Sequence, residues 1–142
     1  MMISNAVLCA GQQPVPAPTR TDLEPALAFE APLNGALPSG WSSYPPGTVS
    51  ADDQVVHGGK FSARLQRDGT SPNGFSTITK ALAIDFSGKI LELRGYLRTE
   101  EVSEFTGLWM REDGDTPGLA FDNMQLRQIK GSRDWTEYSI TL

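Results

Sequence analysis

Apolar side chains return at every second position in several short stretches of this chain, and a period of two marks a strand with one buried face. Across residues 61–67, FSARLQR, the positions Phe61, Ala63 and Leu65 alternate with Ser62, Arg64 and Gln66. In residues 89–99, Leu91, Leu93 and Leu97 share one face while Glu92, Arg94, Tyr96 and Arg98 share the other. The final stretch, 135–142, turns Tyr138, Ile140 and Leu142 inward. Shorter strand candidates lie at 27–30, 48–50 and 75–82, each bounded by Gly, Pro or Ser. No helical period of useful length appears, and no internal repeat.

The densest signal is residues 107–124, GLWMREDGDTPGLAFDNM, which read as a β-hairpin. Leu108, Trp109 and Met110 run into a turn built from Asp113, Gly114, Asp115 and Thr116, and the chain returns through Leu119, Ala120 and Phe121. Pairing Thr99 with Glu104 across a four-residue loop sets Leu93 opposite Met110 and Arg94 opposite Trp109. Closing the second hairpin with Glu112 opposite Pro117 sends Leu119 and Phe121 to the core side. The outer face then carries Arg94, Tyr96, Trp109, Arg111 and Asp122 together.

With 142 residues and 39% apolar content, one core can be built, and 14 Gly with 10 Pro favour short strands and turns over a bundle. The sequence therefore predicts an all-β sandwich over 26–142. Before it, 11–25 forms a Pro-rich linker, and 1–10 has the apolar, small-residue character of a signal-peptide remnant. That remnant places the chain in a secreted, periplasmic or envelope setting. Seventeen acids against twelve bases give a net charge of −5, which argues against nucleic acid as a partner and against an anionic membrane. No apolar run reaches membrane-spanning length, so no membrane insertion is expected. The single Cys9 can close no internal disulfide.

Catalytic patterns are thin. His57 is the sole histidine, no serine sits in a nucleophile-elbow motif, and Asp113 with Asp115 lacks the remaining spacing of a calcium loop. No catalytic residue is assigned and no enzyme activity is expected. The outer face of Arg94, Tyr96, Trp109, Arg111 and Asp122 is the candidate binding surface, because aromatic planes stack on sugar rings or apolar groups while flanking charges orient them. The bland alternative is a face covered by a loop or a neighbouring domain.

Several segments recur in a familiar order: Phe29-Glu30, the LPSGW of 37–41, HGGKFSARL of 57–65, GKILELRGYLRTEEV from Gly88, GLWMREDG from Gly107 and LAFDNM from Leu119. They resemble the galactose-binding-like jelly-roll domains, similar to carbohydrate-binding modules, that precede the catalytic domain of bacterial tail-specific-type serine peptidases and erythromycin-esterase-like proteins. The resemblance implies a jelly roll that continues past Leu142, hence a domain incomplete at its C-terminal end. It also implies an accessory module of a secreted hydrolase, with a glycan ligand and a C-terminal catalytic partner, or else a purely structural domain packing on that partner. It further implies a structural calcium near Glu30 and the backbone at Lys60, and no other cofactor.

Overall fold

The computed structural model describes residues 20–30, 36–67, 74–85 and 90–142. Within them the chain is all-β apart from one helix, α1 (Arg20–Leu27), and a 3-10 turn at Gln125–Arg127. Eight strands follow: β1 (Trp41–Tyr44), β2 (Val49–Asp52), β3 (Ser62–Leu65), β4 (Thr77–Lys80), β5 (Glu92–Thr106), β6 (Met110–Glu112), β7 (Ala120–Asp122) and β8 (Ile129–Thr141). All pair antiparallel, β1 with β4, β2 with β3, β5 with β8 and β6 with β7.

The long β5–β8 ribbon organises the core. Leu93 faces Ile140 and Gly95 faces Tyr138 on its inner side, and the alternation read from the sequence puts Glu92, Arg94, Tyr96 and Arg98 on the exposed side. Met124, Ile129 and Ile140 are buried, with Leu97, Leu108, Met110, Tyr138 and Leu142 packed around them. Leu108 approaches β5 where Gly95 has no side chain, since a Cβ there would lie 3.1 Å from its Cδ2. Its own N–H donates to the Met124 sulfur at 3.2 Å. Removing these apolar surfaces from water is the main force holding the ribbon to the segment that connects its two strands.

Three expectations are corrected. The strand expected at 27–30 is absent: residues 20–27 are helical, and the half-buried Leu23, Ala26 and Leu27 stand at the i, i+3, i+4 spacing of one helix face. That helix also occupies the last residues assigned to the linker, while residues 1–19 lie outside the described residues. The hairpin pairing Thr99 with Glu104 does not form. β5 runs straight through, and its partner is β8, with Thr99 opposite Arg133 and Val102 opposite Gly131. The left-handed Glu101 (φ 51) is absorbed as a register shift in the ladder, near the left-handed Gly131 on β8 and with its N–H donating to the Ser132 hydroxyl at 3.0 Å.

The 107–124 hairpin exists but in another register. Glu112 faces Ala120, Arg111 faces Phe121 and Met110 faces Asp122. The connection is thereby longer than a four-residue loop, and the shift is odd, so Phe121 changes sides and joins Arg111. Phe121 is 56% exposed and Leu119 57% exposed, not core. Asp113 causes the longer turn: its carboxylate accepts the Gly118 N–H at 2.7 Å and the Arg111 Nε–H at 3.0 Å, closing the loop by side-chain bonds.

Candidate functional site

The five residues expected on one face fall into two groups. Arg94 and Tyr96 stand on the outer side of β5, opposite Ser139 and Glu137 of β8. Arg94 is tied to Glu92 at 3.0 Å, and that carboxylate, with Glu137 beyond it, holds the guanidinium above its ordinary pKa. Both side chains are well exposed, so the pair orients the guanidinium more than it stabilises the fold.

The second group belongs to the β6–β7 hairpin. Trp109 is half-buried, donates its indole N–H to the Ile78 carbonyl of β4 at 3.4 Å, and tilts against Phe121 with ring centroids 6.2 Å apart. Arg111 pairs with Asp113 at 2.9 Å. The Gly118 N–H first, and the Arg111 guanidinium second, keep the Asp113 carboxyl below its usual range. Asp122 is turned to its own backbone and accepts the Met124 N–H at 2.7 Å. Its carboxylate thus fixes the left-handed turn at Met124 (φ 59), which puts that side chain into the core.

Sequence reading missed the residue that organises the first group. His57, expected only to shape a turn, stacks on Tyr96 with centroids 3.7 Å apart and planes 12° apart, and meets Trp135 edge-on at 5.6 Å. The 53–60 turn therefore folds over the outer face of the β5–β8 ribbon. A sole His beside a Gly-Gly pair gave a turn signal and no stacking signal.

Glu30 and Lys60 do meet. The Glu30 carboxylate accepts the Lys60 N–H at 2.9 Å, and a Cβ on Gly59 would collide with it at 2.1 Å. Calcium needs roughly six to eight oxygens. Here one carboxylate is committed to a backbone donor, and among the described residues no group of three or more His, Cys, Asp or Glu gathers. Among the described residues, too, no helix is long and apolar enough to cross a membrane.

No protein-family profile matches the chain. No solved structure matches it either. It is 37% identical over 97 residues to an uncharacterized HTH-type transcriptional regulator of Bacillus subtilis (strain 168), YbfP, a match covering 66% of this chain and 33% of that protein. The chain thus spans about a third of the length of that curated relative. This likeness overturns three expectations: the accessory role beside a secreted hydrolase, the glycan ligand and the exclusion of nucleic acid. The segments that suggested the hydrolase setting are strand and turn patterns, which report a fold and not the role of the protein that carries it. The net charge of −5 describes this unit's own surface and says nothing of an element elsewhere in a longer protein.

Proposed function

We propose that this chain is a β-structured regulatory part of a helix-turn-helix transcriptional regulator. The similarity to the Bacillus subtilis regulator carries this reading. Among the described residues the only α-helix is the eight-residue α1 and eight strands follow it, which is what makes this part β-structured. We carry the galactose-binding-like jelly roll as the fold type of this part, acting by binding and not by turnover, in the compartment that holds the DNA.

The test is a chimera in which the matching 97 residues of the Bacillus subtilis regulator are replaced by their counterpart from this chain. The chimera is expected to keep that regulator's DNA binding and its effect on transcript levels. A chimera that folds but behaves as a deletion strain overturns the assignment to a regulator.

A further inference from the structure

A recess of about 290 Å³ opens where α1 comes against the start of β1 and the end of β4. Pro25, Ala26 and Pro38 give it apolar walls, and Trp41 and Lys80, partners in the β1–β4 ladder, give it an aromatic plane and a cation. Phe29 stacks against the Trp41 ring at 4.8 Å, which holds that plane in place. The volume sits near the small end of the range, roughly 300–1,000 Å³, seen for small-molecule sites.

The polar groups are arranged unequally. The Lys80 ammonium stands 5.9 Å from the Trp41 ring centroid and donates to the Ser39 carbonyl at 2.9 Å. Among the described residues it has no carboxylate partner, so two of its three donors remain for another acceptor. Glu30 lines the same recess, and its carboxylate accepts the Lys60 N–H at 2.9 Å. Gly40 (φ 81) makes the cation's position possible, because a Cβ there would lie 2.6 Å from Nζ.

We infer that this recess binds small organic monocarboxylates, the carboxylate on Lys80 and the apolar body against Trp41 and the prolines. An ammonium with spare donors selects an anion, and a volume of about 290 Å³ beside an aromatic plane suits a compact organic one. Binding as such is a property of this chain. Its service as the effector signal rests on the regulator reading above, and the two fail separately because binding is read without DNA.

The experiment is a titration of the ¹⁵N-labelled chain with sodium benzoate and with butyrate, following the indole resonances of the three tryptophans, Trp41 being assigned through Trp41→Phe. Saturable shifts of the Trp41 indole are expected, with those of Trp109 and Trp135 unmoved. Lys80→Met should weaken benzoate by about tenfold, the loss of one charge-assisted hydrogen bond, and Lys130→Met on exposed β8 should not. Should Lys80→Met fail to fold, benzyl alcohol on the unaltered chain makes the same comparison and should bind about tenfold more weakly than benzoate. No saturable shift from either carboxylate up to about 10 mM, or equal binding of the alcohol, overturns the site.

Discussion

His57 lies flat on Tyr96 at 3.7 Å between ring centroids, and this contact fastens the 53–60 turn to the outer face of the β5–β8 ribbon. The turn would otherwise hold to that face through little else that is aromatic, since Trp135 meets the imidazole only by its edge at 5.6 Å. His57→Ala is therefore expected to lower stability by about 0.5–1.5 kcal/mol, in the range of an aromatic pair. Tyr96, already 45% exposed, should become more accessible to a fluorescence quencher. A melt and a quenching curve both identical to the parent would show that the stack does not hold the turn.

Acid should weaken the β2–β3 pair through Asp52. Asp52 accepts the Val55 N–H at 3.0 Å and the Gln54 N–H at 2.8 Å, with the Arg64 guanidinium 3.6 Å away. These bonds, Val55 first, lower its pKa in the folded chain. A carboxyl whose folded pKa is depressed adds stability that is complete above the unfolded value of about 3.9 and is lost as pH falls through the folded value. Asp52→Asn should accordingly flatten the fall of the urea midpoint as pH drops below the ordinary carboxylate range. An unchanged acid limb in the variant would assign that fall to other carboxyls.

Strand positions were legible wherever a strand keeps one dry face, as in 91–98 and 135–142, because alternation is imposed by the pleat itself. Pairing was not. Residues 99–104, TEEVSE, look like a turn by polarity, yet Glu101 in a left-handed conformation takes up the irregularity within the ladder, supported by Ser132 from more than thirty residues away. Such a partner leaves no local trace. The same holds for the site: the outward aim of Arg94 and Tyr96 follows from period two, whereas the His57 stack and the meeting of Trp41 with Lys80 depend on long-range register. Phe121 was misplaced by the odd register error that Asp113 imposes through its bond to Gly118.

The core is small enough that its members are not interchangeable with surface residues of the same type. Ile140 is fully buried, while Leu126, beside it in chemistry, is 98% exposed. Ile140→Ala should cost about 2–5 kcal/mol through lost burial and the cavity left behind. Leu126→Ala should stay within about 0.5 kcal/mol of the parent. Denaturant titration of both variants checks the pair, and a comparable loss in each would mean that Leu126 is covered in solution.

Two glycines separate the effect of space from that of backbone freedom. Neither Gly107 nor Gly58 has a left-handed backbone, so alanine is tolerated by conformation at both. At Gly107, however, a Cβ would stand 2.8 Å from the Met124 Cβ and 3.2 Å from the Asn123 carbonyl, whereas at Gly58 nothing lies within 4 Å. Met124 has little freedom to move, being 1% exposed, left-handed, and held by the Asp122 carboxylate on its N–H. Gly107→Ala must therefore push the 107–110 segment off the buried Met124 and Ile140, at a cost of about 1–3 kcal/mol for overpacking. Gly58→Ala should be neutral or slightly stabilising, by about 0.4–1 kcal/mol, because it restricts only the unfolded chain. Thermal melts of the two variants decide it: Gly107→Ala as stable as Gly58→Ala would show that the approach of Leu108 and Met124 over β5 is looser than these distances require.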